Sequence, residues 1–314
     1  MSHTAFIFPG QGAQFVGMGK ELADTFASAR AVFDEVDEAL GENFSQLIWE
    51  GSEDDLKLTA NTQPALMAVS LAAVRALETE FGVKISTGKY VAGHSLGEYS
   101  ALAAVGALSV GDAAKLLRFR GEAMQKAVPA GEGAMAALLG ATLEQAEAAC
   151  EASGGVCEIA NDNAPGQVVL SGAKAAVEAA AEWSKANGIK KAVLLPVSAP
   201  FHCSLMQPAA DAMEGALADV AMGAPSIPVF ANVTAAPTSD PSEIRKLLVE
   251  QVTARVRWRE SVEKMASEGI TLMAECGAGK VLTVMNRRTV KDLKGVALGT
   301  PADLESFASE QNQA

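Results

Sequence analysis

Two rhythms of apolar and polar positions run along the chain. Short apolar runs at Phe6–Phe8, Tyr90–Ala92, Ala192–Leu195, Pro228–Ala231 and Thr271–Ala274 are separated by longer stretches of helical period. That alternation predicts a mostly parallel sheet covered by helices, an α/β architecture. Helix starts carry their own chemistry. Ser109 stands three residues before Asp112, and Thr142 three before Gln145, so each pair can cap otherwise unpaired amides.

Between about Gly131 and Pro196 the order changes. Met135–Leu139 reads as a strand, Leu143–Ala152 as a helix, Cys157–Ala160 and Gln167–Leu170 as strands, Ala173–Ala186 as a helix and Ala192–Leu195 as a strand. This β-α-β-β-α-β order describes a ferredoxin-like module. Pro129-Ala130-Gly131-Glu132-Gly133 supplies a hinge into it, and Pro196 to Pro200 a way out. Residues 1–128 and 199–314 are therefore expected to form a large domain, with 129–198 as an insert.

Composition narrows the functional classes. A length of 314 residues with 49% hydrophobic content suits a large core and argues against disorder. The net charge of −13 argues against general binding to nucleic acid or an anionic membrane, since both need a basic face. The stretch Ala101–Leu117 is interrupted by Gly106, Ser109, Gly111, Asp112 and Lys115, short of the roughly 20 apolar residues of a membrane helix. It reads as a pair of core helices. Cys150, Cys157, Cys203 and Cys276 show neither C-x-x-C pairing nor metal-ligand spacing, so they read as reduced packing residues and no metal is expected. No basic segment with a longer apolar region precedes Phe6, and a cytoplasmic protein is expected.

The strand Tyr90–Ala92 runs directly into Gly93-His94-Ser95-Leu96-Gly97, after which Glu98-Tyr99-Ser100-Ala101-Leu102 begins a helix. A serine on such a turn is held exposed and strained, and glycines on either side let strand and helix approach. Its hydroxyl sits at a helix N-terminus, where developing negative charge is favoured. A serine hydroxyl needs a base, and the chain has three histidines. His3 is near the terminus, and the position of His94 in the turn directs its ring away from Ser95. His202, in Pro200-Phe201-His202-Cys203-Ser204, remains. No Asp or Glu stands in an obvious third position, which leaves open a dyad oriented by a backbone carbonyl. The amide of Leu96 follows the nucleophile and can face an oxyanion. A second donor is expected from the loop Phe8-Pro9-Gly10-Gln11-Gly12-Ala13-Gln14, which fails as a nucleotide motif because Phe15 occupies the third glycine position.

Plotting Gly111 to Val128 at about 100° per residue places Ala113, Leu116, Leu117, Met124 and Ala127 on one face, with Arg120 in its middle. A buried guanidinium is costly unless paired, and its fork suits a carboxylate. Either an internal salt bridge or a substrate carboxylate answers that requirement. The second points to a dicarboxylic half-thioester such as malonyl.

Gly10-Gln11-Gly12-Ala13-Gln14, Gly93-His94-Ser95-Leu96-Gly97-Glu98-Tyr99, Arg120-Gly121 and Phe201-His202 together resemble the malonyl-CoA:acyl-carrier-protein transacylases. Asn61-Thr62-Gln63-Pro64-Ala65, Asn163-Ala164-Pro165-Gly166-Gln167 and Glu275-Cys276-Gly277-Ala278-Gly279 extend the likeness over nearly the whole chain. Ala13 and Ala278 depart from the serine and proline common at those places. The resemblance implies an α/β-hydrolase-like large domain with an inserted ferredoxin-like small domain. It implies Ser95 as nucleophile, His202 as base, the amides of Gln11 and Leu96 as oxyanion donors, and the main-chain carbonyl of Gln251 as the group orienting His202. Arg120 would clamp the malonyl carboxylate, with Met124 bounding the pocket, Phe201 selecting malonyl, and His94 and Asn163 also against substrate. No cofactor is implied beyond the substrates malonyl-CoA and phosphopantetheinylated acyl carrier protein. Carrier proteins are usually acidic, so Lys190-Lys191 and Arg287-Arg288 are the docking candidates. A monomer is expected. A serine esterase or thioesterase and a non-catalytic carrier-binding subunit are the competing readings.

Overall fold

The computed structural model describes residues 3–197 and 199–313. Six strands form one sheet in the order β10-β9-β1-β2-β7-β8: β1 is Thr4–Phe8, β2 Tyr90–Gly93, β7 Val229–Ala231, β8 Ala236–Thr238, β9 Leu272–Cys276 and β10 Lys294–Leu298. All neighbours are parallel except β7 and β8. Every residue of β1 and β2 is buried, the pattern of strands covered on both faces.

The covering helices begin with α1 Lys20–Thr25, α2 Ala27–Leu40, α3 Phe44–Glu50, α4 Glu53–Lys57 and the long α5 Thr59–Phe81. The stretch Ala101–Leu117 is divided between α6 Gly97–Ala104 and α7 Val110–Ala127, as a pair of core helices requires. Ser109 caps α7 by accepting from the Asp112 amide. Among the described residues no helix is long and apolar enough to cross a membrane.

The second sheet is antiparallel, in the order β4-β5-β3-β6, with β3 Gly133–Leu139, β4 Cys157–Ala164, β5 Gln167–Ala173 and β6 Lys191–Leu194. It carries α8 Leu143–Glu151, which starts on a full capping box of Thr142 and Gln145, and α9 Lys174–Ala186. Ala192–Leu195, one of the apolar runs expected in the parallel sheet, pairs with β3 and so belongs to the small sheet alone. The connection back to the large sheet includes Ser198, which lies outside the described residues.

Two edge strands escape the reading of the sequence. β8 contains Pro237, tolerated because an edge needs no donor there, and β10 is half exposed. The chain closes with α10 Gln207–Ala218, α11 Pro241–Glu250, α12 Trp258–Ser267, α13 Val281–Thr289 and α14 Pro301–Gln313. The small sheet is tied to the large one through β4. Val256 exchanges backbone bonds with Ala160 and Asp162, and Arg259 forks onto the buried Asp162 carboxylate with Nη2 at 2.8 Å.

The β2–α6 turn leaves no room for a side chain at either of its glycines. A Cβ on Gly93 would stand 1.9 Å from the carbonyl carbon and oxygen of Gly97, and one on Gly97 would stand 2.4 Å from the Phe8 carbonyl oxygen. We predict that Gly93→Ala is destabilising by several kcal/mol, as backbone against backbone cannot yield. Gly215→Ala in α10, where nothing lies within 4 Å, should instead stabilise by about 0.5–1 kcal/mol. Thermal unfolding of the two variants checks the pair, and an unperturbed Gly93→Ala protein would contradict the turn described.

Candidate active site

The glycine-flanked turn holds Ser95 at φ 53°, in the left-handed region that costs an L-residue energy. Its backbone is held from three sides. The Ser95 amide donates to Asn232 Oδ1 at 2.7 Å, Asn232 Nδ2 donates to the Gly93 carbonyl at 2.7 Å, and Gln251 Nε2 donates to the Ser95 carbonyl at 3.1 Å. The hydroxyl thus projects above the C-terminal ends of the parallel strands, where α/β sheets place their sites.

His202 meets it from the loop that follows the small sheet. Ser95 Oγ lies 2.8 Å from His202 Nε2, and His202 Nδ1 lies 2.8 Å from the Gln251 carbonyl oxygen. A carbonyl only accepts, so Nδ1 carries the proton and Nε2 presents its lone pair to the serine. His202 also has a positive φ, 58°, so both members of the pair sit on strained backbone. Burial pushes the imidazole down to about 3, and the nearby Arg120 cation adds to that shift.

Arg120 is 1% exposed and reaches the same point from α7. Its Nη1 donates to Gln63 Oε1 at 2.7 Å, its Nη2 to Gln251 Oε1 at 2.9 Å, and the same Nη2 lies 3.3 Å from Ser95 Oγ. Its Nε has no acceptor among the described residues. No carboxylate pairs with it there either, so the internal salt bridge is absent. The nearest acid, Glu98, is reached through Gln251, whose Nε2 donates to Glu98 Oε2 at 2.9 Å. Burial pushes the Glu98 carboxyl up to about 7. Arg120 itself is shifted down by burial and lies over the Tyr99 ring at 5.7 Å.

Gln11, Leu96, Met124 and Phe201 line the same cleft as Ser95, His202 and Arg120, which has a volume of about 120 Å³ and opens to solvent. The amides of Gln11 and Leu96 have no acceptor among the described residues. The Gln11 side chain is fixed by Thr59 Oγ1 at 3.0 Å, and Thr59 accepts from Gln63 Nε2 at 2.9 Å. His94 also lines the cleft but turns its Nε2 to Asn163 Oδ1, 2.8 Å away. Asn163 stands behind His94, and Asn161 of the same strand is the one on the wall.

The four basic candidates divide. Arg288 Nη1 donates to Gln167 Oε1 at 3.3 Å, and Gln167 follows Gly166, whose neighbour Gly140 packs against the Lys190 stem. Lys191 is exposed beside it. Arg287 instead lines a groove with Thr4, Leu272 and Lys294 at the opposite, N-terminal ends of the strands.

Gln63, Asn232 and Glu98 carry the internal hydrogen bonds of the site without having been assigned a role from the sequence. Gln63 was marked by a run of buried polar residues, Thr59, Asn61, Thr62 and Gln63, opening an otherwise apolar helix. Asn232 directly follows β7 at its C-terminal end. Glu98, buried in the first turn of α6, is a carboxylate at a helix N-terminus.

The chain matches the model of the acyl transferase domain over residues 5–305. It is 45% identical over 308 residues to the malonyl CoA-acyl carrier protein transacylase of Bacillus subtilis strain 168, covering 97% of this chain and 96% of that one. The crystal structure of the acyl-carrier-protein-S-malonyltransferase from Bartonella henselae superposes with a TM-score of 0.97 at 53% identity, over 99% of this chain and all of the other. A malonyl-transacylase in complex with a type II PKS acyl-carrier protein superposes with a TM-score of 0.95 at 40% identity, covering 98% of this chain and 100% of that one. Matched by that domain family over residues 5–305 and similar to these transacylases in sequence and fold over nearly its whole length, the chain belongs to the malonyl-CoA:acyl-carrier-protein transacylase family.

Proposed function

We infer that the protein transfers a malonyl group from malonyl-CoA to the phosphopantetheine thiol of an acyl carrier protein, through malonyl-Ser95, and so supplies the extender unit of fatty acid synthesis. The observation that carries this reading is Arg120, a buried cation with no carboxylate paired to it among the described residues, whose Nη2 lies 3.3 Å from Ser95 Oγ. A guanidinium left unpaired in that position favours an acyl group that brings its own carboxylate.

In the proposed cycle Ser95 Oγ attacks the thioester carbonyl as its proton passes to His202 Nε2. The oxyanion faces the amides of Gln11 and Leu96. Collapse expels the coenzyme A sulfur, protonated by His202, and the carrier thiol repeats the sequence in reverse. The Gln251 carbonyl holds the imidazolium that forms, taking the place of a triad acid. Its side chain positions Arg120, so one residue serves base and clamp. A malonyl carboxylate on Arg120 also cancels a positive charge that holds His202 down, so the correct substrate makes its own base stronger. Acetyl cannot do this. Met124 and Phe201 close the pocket, with Asn163 holding His94 at its edge. Residues 129–198 serve as a small domain placing Met135, Leu195 and Val197 on the far wall of the cleft, and the chain acts as a cytoplasmic monomer.

The carrier is proposed to dock beside α13. Arg288 and Lys280 are exposed there next to Val281 and Val284, which are 43% and 45% exposed. A Cβ added to Gly279 would stand 4.0 Å from the Ala13 carbonyl oxygen, so this patch borders the loop of Gln11 at the cleft mouth. Lys190 and Lys191 extend it, and Arg287 contributes least.

Brief exposure to malonyl-CoA should add one malonyl mass at Ser95, discharged to holo carrier faster than to water; dominant free malonate would establish a hydrolase instead. In Arg120→Ala, malonyl loading should fall by roughly 100-fold while acetyl loading rises relative to it, and equal losses on both would refute the carboxylate role.

His202 works as a base only when neutral, and its lowered value keeps it neutral as pH falls. The kcat/KM for loading, which reports the free enzyme, should therefore stay level from about pH 7.5 to about pH 5; an acid limb centred on the ordinary value of 6.5 would contradict this. The unfolded histidine takes its proton at that ordinary value, so the His202 contribution to stability declines as pH falls below it, while Glu98, which holds its proton more tightly in the folded state, contributes with the opposite sign as pH falls through about 7.

Charge reversal at Lys280 and Arg288 should raise KM for the carrier about tenfold or more and leave loading from malonyl-CoA unchanged. An unchanged carrier KM in the double variant would remove the docking assignment.

A further inference from the structure

Away from the cleft, two of the four cysteines meet. Cys150 lies in the last turn of α8, Cys157 opens β4, and their sulfurs are 3.5 Å apart. Cys203 and Cys276 are buried elsewhere, with their thiols directed at the Pro200 and Ala274 carbonyls. We propose that Cys150 and Cys157 form a peroxide-responsive oxidation site, closing an intrachain disulfide across the α8–β4 turn.

The local structure permits the bond. A disulfide places its sulfurs about 2.05 Å apart, so this pair must close by roughly 1.5 Å. The turn between them is exposed at Ala152 and from Gly154 to Val156, and includes Gly154 at φ 71° and the adjacent Gly155, so the movement falls on compliant backbone. Cys150 is half-buried, giving a small oxidant a way in, and Cys157 is buried beside it. The contact between the two sulfurs holds the Cys157 thiol below its usual value and pushes that of Cys150 up, so Cys157 is the sulfur that ionises first.

The chemistry balances with one peroxide. The thiolate sulfur attacks a peroxide oxygen, breaking the O–O bond and giving a sulfenic acid and, after proton uptake, water. The second sulfur then attacks the sulfenic sulfur, forms the S–S bond and expels the oxygen as a second water. Two thiols lose two electrons in total, and the peroxide gains them.

The pair sits on the helix-covered side of the small sheet, where Cys157 packs with Ala146, Ala149 and Val177. Met135, on the other side, lines the cleft. The disulfide therefore braces the small domain without touching Ser95 or Arg120.

The test treats the reduced full-length protein with hydrogen peroxide, alkylates the remaining thiols and maps the peptides. The expected result is the loss of two alkylatable thiols, a Cys150–Cys157 linked peptide, restoration by dithiothreitol, and malonyl loading at Ser95 unchanged throughout. Cys150→Ser, altered at the half-buried position, should give no linked peptide while loading normally. All four thiols remaining alkylatable, sulfinic acid without a cross-link, or a cross-link that abolishes loading would each overturn the proposal.

Discussion

The site depends on one unbalanced charge. Arg120 is buried beside Ser95 with its guanidinium held by two neutral amides, Gln63 and Gln251, where a structural arginine would meet a carboxylate. Burying a cation this way is costly, and Glu98, two hydrogen bonds distant, offsets only part of it. The arrangement is held by side-chain hydrogen bonds on either side of the guanidinium. Gln11, Thr59, Gln63, Arg120, Gln251 and Glu98 form one continuous chain of hydrogen bonds from the loop of Gln11 to the first turn of α6. Such a network fixes the orientation of the guanidinium fork.

Backbone geometry supplies the second requirement. Ser95 and His202 occupy left-handed conformations, and both are held by groups outside their own loops, Asn232 on the serine side and Gln251 on the histidine side. The strain is affordable because β1 and β2 are buried along their whole length and Gly93 and Gly97 allow the helix to sit directly against them. Chemistry and packing therefore meet in the same few residues, the usual place for locally unfavourable conformations.

Much of this was legible in the sequence, for reasons that differ by residue. Ser95 announced itself through glycine spacing, His202 through the scarcity of histidines, and Arg120 through its position on an apolar helix face. The Gln251 carbonyl and the Gln11 amide have no such signature, because a backbone group contributes nothing to side-chain pattern; only the likeness to related chains suggested them. Asn232 was hidden for another reason, since it meets the Ser95 turn across a long sequence separation that no local pattern reports; the polar run around Gln63 marks that residue but not its partner Arg120. The same limit applies to Cys150 and Cys157, whose spacing matches no familiar motif yet whose sulfurs the α8–β4 turn brings together. The edge strands β8 and β10 were missed because half-exposed strands lack the apolar run that marks β1 and β2.

The central claim is that the empty charge on Arg120 is answered by the acyl group itself. Its most direct test alters the substrate and leaves the protein intact, by comparing the rate of Ser95 acylation from malonyl-CoA with that from the methyl ester of the malonyl group, followed by rapid quench and intact mass. The account predicts a loss of roughly 100-fold or more for the ester, since it is uncharged and leaves the guanidinium unpaired. Equal rates for acid and ester would contradict it.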